Sequence, residues 1–234
     1  MSDYSGKHVV VTGGTGALGT AMVGALLGAG AACTVSYAVE AEAQAFALRN
    51  DDRVKLVKIS DLADEADVAK LYAGLSPWAS IHIAGGFAVG EVAKTSKADL
   101  MAQLDTNLVT CFLCCRAAVN AMRTGGEAGG RIVNVSARPG LEWRTGAGLA
   151  AYTVAKTGVA ALTVALAEEV AKDGILVNAV APSIMDTPAN RHAMPEAETV
   201  NWPKVEEVAA TILFLASPQN NVTRGAVVPV YGKA

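Results

Sequence analysis

The chain has 234 residues, of which 52% are hydrophobic and 18% are charged, and its formal net charge is −3. This composition excludes an intrinsically disordered chain, and the length suits one α/β domain with a substantial core. Because the balance is acidic and no cluster of Lys or Arg occurs in the sequence, there is no basic footprint for a nucleic-acid backbone. We therefore predict no nucleic-acid partner.

Neither a long apolar run nor a leader-like N-terminus is found in the sequence. The longest apolar run, residues 158–167, is shorter than the roughly 18 to 20 residues that a membrane span needs. Residues 1–8 are polar and lack a signal-peptide pattern. We predict a cytoplasmic protein without a membrane partner. Four cysteines lack metal-ligand spacing and are predicted as small buried side chains, with no metal site: Cys33, Cys111, Cys114 and Cys115.

Short apolar runs alternate with helical patterns along the chain. The runs are nearly continuous and lie roughly 15 to 30 residues apart, which is typical of a parallel sheet covered on both faces. We predict a single-domain α/β fold over residues 1–234, a Rossmann-type doubly wound parallel sheet of about seven strands with helices on both faces. The predicted strands are residues 9–12, 32–37, 54–59, 80–84, 131–136, 176–181 and 226–230.

The first strand leads directly into a glycine-rich turn. Gly14, Gly16 and Gly19 fit the pattern G-x-G-x-x-G, and helical spacing follows them. Glycines permit a tight turn and a close approach of the backbone to a pyrophosphate, which then faces the positive end of the next helix. The alternative is an ordinary glycine-rich turn. We predict a dinucleotide site formed by Thr12, Gly13, Gly14, Thr15, Gly16, Ala17, Leu18 and Gly19.

The end of the second strand bears on which nicotinamide nucleotide binds. An acidic residue there would bond the ribose hydroxyls of NAD and repel a 2′-phosphate. The strand ends in Ser36 and Tyr37, and Glu40 comes later. Both hydroxyls are able to bond a phosphate, but no arginine accompanies them. We predict NADP(H), slightly favoured over NAD(H).

Tyr152 and Lys156 are spaced four residues apart at the start of a helical segment, residues 152–172. This spacing places both side chains on one helix face. An ammonium beside a phenol lowers the tyrosine pKa from about 10 toward a range suited to proton exchange with an alcohol or ketone. We predict a catalytic pair, with a solvated helix face as the alternative.

Residues 182–203 form the one long segment without clear periodicity. Long irregular segments in compact domains often cover active sites, and this one follows the carboxyl end of a strand, where open α/β sheets bind ligands. The segment is predicted to be a substrate lid. The alternative is a plain surface excursion.

Taken in order, these residues resemble the short-chain dehydrogenase/reductase family over nearly the whole chain. The resemblance implies that Tyr152 is the general acid/base and that Lys156 binds the nicotinamide ribose and lowers the tyrosine pKa. It implies that Asn107 helps to hold a proton-relay water. Further cofactor contacts implied by the resemblance are Asp61 and Leu62 at the adenine, Ala84, Gly85 and Gly86 after the fourth strand, and Pro182, Ser183, Ile184 and Thr187 at the nicotinamide carboxamide.

The sequence also departs from the family pattern. Family members usually carry a second serine after the fifth strand, which polarises the substrate carbonyl, but this chain has Ala137 there. Ser136 is the candidate replacement, although strand alternation points it to the opposite side from Ala137. Residues 142–144 lie in a longer interval before Tyr152 and either line the substrate pocket or form an exposed loop. His82 stands where the family commonly has asparagine and is predicted to be structural.

We predict an NAD(P)-dependent oxidoreductase that transfers hydride between the nicotinamide and a small carbonyl or alcohol substrate. The resemblance implies a homodimer or homotetramer. One alternative is a dihydropteridine reductase-like member, because residues 84–86 and 186–197 resemble that branch. A nucleotide-binding regulator with little catalysis is another, because the serine is replaced at Ala137. A sugar-nucleotide epimerase shares the glycine spacing, but the chain is short for the added substrate domain.

Overall fold

The computed structural model describes residues 3–125 and 129–233, which form a seven-stranded parallel sheet flanked by helices. The strand order is β3-β2-β1-β4-β5-β6-β7, so the order reverses between β1 and β4. This arrangement confirms the predicted doubly wound sheet, and most strand bounds agree within a residue or two. The strands are His8–Thr12 (β1), Ala32–Tyr37 (β2), Val54–Lys58 (β3), Ala79–His82 (β4), Gly130–Val135 (β5), Ile175–Pro182 (β6) and Val227–Val230 (β7).

Helices cover both faces of the sheet, as the alternation of the first strand shows. Val9 and Val11 pack with helices α1 and α9, whereas Val10 packs with α3, α5 and α7 on the opposite face. All three valines are fully buried. The helices are Ala17–Gly28 (α1), Glu40–Ala45 (α2), Glu65–Tyr72 (α3), Lys97–Leu104 (α4), Thr110–Thr124 (α5), Arg138–Leu141 (α6), Ala150–Glu169 (α7), Pro188–Ala193 (α8) and Val205–Leu215 (α9).

Helices α4 and α5 are joined by a single π turn, Asp105–Val109, in which Asn107 is buried. Ser96 begins α4 with a capping box: its Oγ accepts from the amide of Asp99, whose carboxylate accepts from the amide of Ser96. A π turn inside a longer helical run is frequently found at functional sites. Here it re-aims one side chain at the segment after β4.

Helix α7 is long and apolar enough, by length and composition, to cross a membrane. The search for uninterrupted apolar runs did not predict this, because small and polar residues interrupt its sequence. One side of α7 is buried against the sheet, and core helices of this kind pass the same test. The buried side consists of Ala155, Lys156, Val159, Ala160, Thr163 and Ala167.

The segment predicted as a lid, residues 182–203, leaves the end of β6 and returns close to its starting point. The amide of Asp186 donates to the carbonyl of Pro203 at 2.9 Å, which ties the two ends together. Between them lies α8, where Arg191 and Asp186 form an exposed ion pair at 2.8 Å. The C-terminal segment holds both ends as well, since the amide of Ser183 donates to the carbonyl of Val230 at 3.2 Å and the amide of Lys233 donates to the carbonyl of Asn201 at 2.9 Å. Its role as a lid stays a prediction.

Candidate active site

The glycine turn is held between the ends of β1, β2 and β4. The hydroxyl of Thr12 accepts from the amide of Ala84 at 3.2 Å, and the hydroxyl of Ser36 accepts from the amide of Gly13 at 3.3 Å. Gly13 has φ +65°, and a Cβ there would lie 2.9 Å from the backbone of Ala84. The turn therefore requires glycine at this position.

A cleft of roughly 400 Å³ opens at this edge of the sheet, where the strand order reverses. Its wall includes the first turn of α1, which is free of acidic residues and presents its positive end. Many predicted cofactor residues line it: Gly13, Thr15, Gly16, Ala17, Leu18, Gly19, Ser36, Tyr37, Asp61, Leu62, Ala84 and Gly85.

The sequence analysis did not identify seven of the lining residues. Most of them are direct chain neighbours of predicted ones, so extending each motif by a residue or two would have found them. Glu42 is different, because it comes from helix α2 and reaches back to the glycine turn. The seven are Ala38, Glu42, Ile59, Ser60, Ile83, Thr106 and Thr110.

Gly85 lies where this cleft meets the predicted catalytic side chains. A Cβ at Gly85 would stand 2.8 Å from Oδ1 of Asn107 and 3.3 Å from Nζ of Lys156. A side chain there would collide with Asn107, so only glycine lets the segment after β4 approach both groups this closely. A cleft at the strand-order reversal, a crowded glycine turn and the close approach of Gly85 to Lys156 fit a bound dinucleotide.

Lys156 is buried in the first half of α7, and its ammonium donates to the carbonyl of Val135 at 3.0 Å. Nζ lies 5.8 Å from the ring centroid of Tyr152. Burial lowers the pKa of Lys156 to about 8. A lysine whose pKa lies this low carries its charge for only part of the neutral to alkaline range.

Tyr152 lies half-buried in the first turn of α7, with its ring edge-on to Phe87 at 5.1 Å between centroids. Burial raises the pKa of Tyr152 to about 12. The expected lowering of the tyrosine pKa by Lys156 is therefore wrong, because burial raises this pKa instead. The ammonium is bonded to the carbonyl of Val135 and lies 5.8 Å from the centre of the phenol ring, so desolvation of the phenolate dominates.

Asn107 uses both ends of its buried side-chain amide. Oδ1 accepts from the amide of Gly86 at 3.2 Å, and Nδ2 donates to the carbonyls of Gly86 and Gln103 at 3.0 Å each. These bonds clamp the segment after β4 to the π turn. Gly86 itself does not line the cleft, and neither do Thr12 and Gly14, which support the turn from behind.

Ser136 is buried beneath helices α6 and α7. Its hydroxyl donates to the carbonyl of Lys156 at 2.8 Å, and a Cβ on Gly140 would stand 2.7 Å from it. This hydroxyl is therefore committed to the backbone of α7 and does not offer its proton to a substrate carbonyl. The adjoining Ala137 is extended and begins α6. The structure thus agrees with strand alternation and not with a shifted backbone.

The predicted nicotinamide segment lies beyond the described cleft. The hydroxyl of Ser183 donates to the carbonyl of Tyr231 at 2.9 Å, and the hydroxyl of Thr187 accepts from the amide of Asn190 at 3.2 Å. Pro182 ends β6, and Ile184 is exposed. Two of the four side chains are thus engaged in shaping the start of the excursion after β6.

A family model described as short chain dehydrogenase matches residues 7–198. The chain belongs to the short-chain dehydrogenase/reductase family. It is 36% identical to galactitol 2-dehydrogenase of Rhizobium johnstonii, over 96% of this chain and 93% of the relative. It is 32% identical to 2,3-dihydroxy-2,3-dihydro-p-cumate dehydrogenase of Pseudomonas putida, over 97% and 93%. Among solved structures, a candidate gluconate dehydrogenase from Agrobacterium tumefaciens is 28% identical, with a TM-score of 0.89 over 98% of this chain and 96% of that one.

Family membership and these relatives make the protein an oxidoreductase enzyme. Short-chain dehydrogenase/reductases use NAD(P) in general and act on small molecules. The glycine turn and the cleft occupy the places at which a doubly wound fold binds its dinucleotide. Family and fold therefore agree on the class of reaction.

This short-chain dehydrogenase/reductase carries a buried polar network below the site. His82 bonds Asn134 through Nδ1 at 2.8 Å, and its Nε2 lies 2.9 Å from the hydroxyl of Ser80. His82, Cys111 and Cys115 each place one potential metal-ligand atom within 4.8 Å of the others. Both ring nitrogens of the histidine already have partners within the fold, which supports its predicted structural role.

The interval before Tyr152 contains α6 and a 3₁₀ turn, Trp143–Gly146, and residues 142–145 are exposed. Glu142 pairs with Arg138 at 2.7 Å, four residues earlier in the chain. The side chain of Trp143 is 69% exposed, and Arg144 is exposed beside it. These residues present a polar and aromatic rim, and none of them lines the described cleft.

Proposed function

We propose that this enzyme transfers hydride between the nicotinamide of NAD(P) and the carbonyl carbon of a small molecule, with Tyr152 as the general acid/base. The main support is that the side chains of Asn107 and Lys156 both pack against the backbone of Gly85. Gly85 in turn lines the dinucleotide cleft. When bound, the nicotinamide supplies or accepts the hydride. Every other step falls to side chains of this chain.

Tyr152 starts the reduction as a proton donor. With its pKa raised to about 12 by burial, the phenol is protonated at neutral pH. It therefore holds the proton that the developing alkoxide needs. In the oxidative direction, the same oxygen must accept a proton, which requires a nearby positive charge.

Lys156 is proposed to supply that charge and to hold the nicotinamide ribose. Its ammonium donates to one backbone carbonyl, that of Val135, and an ammonium has three donors in all. Ribose hydroxyls are suitable acceptors for those donors. A second negative or polar partner stabilises the charged lysine, because hydrogen bonds to the charged form offset desolvation.

Asn107 and Ser136 are proposed to position the other groups. The amide of Asn107 fixes the backbone of Gly86 beside the reaction centre, and the family resemblance gives it a proton-relay water. The hydroxyl of Ser136 fixes the first half of α7 through the carbonyl of Lys156. Because Ala137 offers no hydroxyl, Tyr152 is proposed as the principal donor to the carbonyl oxygen.

Phe87 points to an apolar group on the substrate. It is 62% exposed and packs edge-on against Tyr152, so a substrate that reaches the phenol also meets this ring. We propose that residues 182–203 close over such a substrate. A dihydropteridine reductase-like activity is a candidate within this class, because a flat pterin ring would suit an aromatic wall.

A nucleotide-binding regulator with little catalysis is the second candidate. It is favoured by Ala137 and by the engagement of the Ser136 hydroxyl, which together leave the carbonyl without a serine donor. Turnover separates the two candidates, since both predict nucleotide binding.

The test is a screen of carbonyl, quinone and quinonoid pterin substrates with NADH and NADPH, followed by absorbance of the reduced nicotinamide. We expect the wild-type enzyme to oxidise NADH or NADPH in the presence of at least one substrate. Tyr152→Phe should lose this activity and keep its affinity for the nucleotide. Nucleotide binding without turnover across the panel would support the regulator. Full activity of Tyr152→Phe would refute the role of the tyrosine.

We also propose a homodimer or homotetramer in the cytoplasm. The outward sides of α5 and α7 expose Phe112, Val154 and Val164, which suits contact between copies of the chain. Light scattering of the purified protein tests the assembly, and a strict monomer would contradict it. A fluorescent fusion tests the compartment.

A further inference from the structure

We infer that Glu42 selects the nucleotide, so that the protein binds NAD(H) in preference to NADP(H). This inference rests on the proposed function, because it assumes that the described cleft holds a nicotinamide dinucleotide. It concerns the adenosine end of the cleft, far from the proton chemistry of Tyr152. It also reverses the sequence-based preference for NADP(H).

The carboxylate of Glu42 reaches from α2 to the glycine turn. Its Oε2 accepts from the hydroxyl of Thr15 at 3.2 Å, and both residues line the cleft. The first turn of α2 is anchored, since the amides of Glu42 and Ala43 donate to the carbonyl of Val39 and Ala43 is buried. The acid is thus held beside the turn although it is absent from the end of β2.

The position of Glu42 in the chain suits contact with a ribose. In dinucleotide-binding folds, an acid about 20 residues beyond the glycine pattern bonds the ribose hydroxyls of NAD. Glu42 follows Gly19 by 23 residues and returns to the same cleft. Its carboxylate accepts two hydroxyl protons as readily as an acid at the strand end does.

The charges around the cleft oppose a 2′-phosphate. Two acids, Glu42 and Asp61, line its wall, whereas no Lys or Arg is found among the lining residues of the described chain. Lys58, at the end of β3, forms an ion pair with Glu40 at 3.4 Å. A phosphate dianion at this point would face a carboxylate without a compensating cation.

The hydroxyls of Ser36 and Tyr37, which the sequence analysis considered as phosphate ligands, already form hydrogen bonds within the protein. Ser36 is buried, and its oxygen accepts from the amide of Gly13. The hydroxyl of Tyr37 donates to Glu40 at 3.4 Å. Binding a 2′-phosphate through them would break these contacts and bring the phosphate toward Glu40 and Glu42.

Calorimetric titration of the full-length protein with NAD⁺ and NADP⁺ tests this inference without any turnover. We expect NAD⁺ to bind at least about tenfold more tightly, and Glu42→Gln to reduce that ratio by about tenfold. The matched control is Glu206→Gln, which removes the same charge from an exposed acid in the first turn of α9, outside the cleft, and should leave the ratio within about twofold. Raising the salt concentration should narrow the wild-type ratio, because the repulsion is exposed to solvent.

The outcomes separate the two levels of the proposal. Equal or tighter binding of NADP⁺ by the wild-type protein overturns the role of Glu42 and leaves the proposed function intact. An unchanged ratio in Glu42→Gln, with the fold verified by circular dichroism, also overturns it. Binding of neither nucleotide overturns the proposed function and this inference together.

Discussion

The nucleotide half of the site, around β1 and β4, is formed mainly by backbone, whereas the reaction half, around β5 and α7, is formed mainly by side chains. Around β1 and β4, the cleft is shaped by backbone, and Gly13 and Gly85 let neighbouring segments approach more closely than a Cβ would permit. Around β5 and α7, the site is shaped by side chains, and Lys156 and Ser136 are already bonded within the fold. The first half thus depends on close packing of the backbone, whereas the second depends on internal hydrogen bonds that hold its side chains in place.

The largest expected effect is a loss of nucleotide affinity caused by a substitution in the nucleotide half alone. In Gly19→Ala, the new methyl group would overlap the carbonyl of Gly13 and lie 2.5 Å from Cα of Gly14. We expect nucleotide affinity to fall by at least about 100-fold, because the pyrophosphate turn cannot keep its shape. Calorimetric titration measures the loss.

Gly28→Ala is the matched control for this change. It lies on the same helix, and a Cβ there meets no atom within 4 Å. Affinity should stay within about twofold of wild type. Equal losses in both variants would show that α1 is sensitive as a whole and that the turn has no special role.

The second prediction concerns the reaction half and the effect of the Lys156 charge on the free energy of unfolding. Because burial lowers its folded-state pKa to about 8, from about 10.4 in the unfolded chain, the unfolded state holds more protons between these values. The contribution of Lys156 to stability should therefore rise with pH from about 8 to 10, by up to about 1.4 kcal/mol per pH unit. The buried thiols of Cys33 and Cys114, whose pKa is raised by burial, act in the opposite direction over the same range, so the Lys156 contribution is read from the difference between wild type and a Lys156 variant. The tyrosine shift acts only above about pH 10, in the opposite direction.

Urea unfolding of wild type and Lys156→Met across this pH range isolates the contribution. The difference in free energy of unfolding between them should change with pH, and nucleotide at saturating concentration should flatten the change. A difference independent of pH would show that Lys156 is charged and satisfied in the folded protein.

The two halves differ in how far the sequence predicts them. The seven strands and the glycine turn follow from continuous apolar runs and local backbone demands, which one chain segment determines by itself. The orientation of Ser136 follows from strand alternation for the same reason. By contrast, the pKa of Tyr152 depends on burial and on the carbonyl of Val135, which come from separate segments. Spacing alone therefore predicted the wrong direction.

Glu42 and the π turn around Asn107 show the same limit. The sequence places Glu42 five residues beyond the strand end, and only the packing of α2 returns its carboxylate to Thr15. The π turn is stabilised by contacts of Asn107 with Gly86, a residue from another element. The position of the Glu42 carboxylate and the π turn both depend on tertiary contacts, so no local sequence pattern predicts them.

The reaction half lacks a hydroxyl donor at Ala137, and restoring one tests how this half handles the substrate carbonyl. In Ala137→Ser, the new hydroxyl sits on the side opposite Ser136, where the family has its carbonyl-polarising serine. We expect kcat for carbonyl reduction to rise by about tenfold, because a donor is added to the developing oxyanion. Steady-state kinetics on the best substrate of the panel measures it. No gain, with nucleotide affinity unchanged, would place the carbonyl oxygen elsewhere.

Ser136→Ala is expected to have the smallest effect. It removes the buried hydrogen bond to the carbonyl of Lys156 and should lower the free energy of unfolding by about 1 kcal/mol. Because the hydroxyl is proposed to position α7, KM for the carbonyl substrate should change little. Chemical denaturation and kinetics measure the two quantities. A loss of turnover without a loss of stability would assign Ser136 a direct contact with the substrate.

Transfer of label from reduced nicotinamide that carries deuterium at both C4 positions tests the central claim most directly, because either face of the ring then delivers label. The enzyme is incubated with the deuterated nucleotide and its best carbonyl substrate, and the alcohol product is analysed by mass spectrometry and NMR. We predict deuterium at the carbinol carbon with wild type, and none with Tyr152→Phe, which still binds the nucleotide. Product without label at that carbon, or full labelling by Tyr152→Phe, would contradict hydride transfer assisted by this tyrosine.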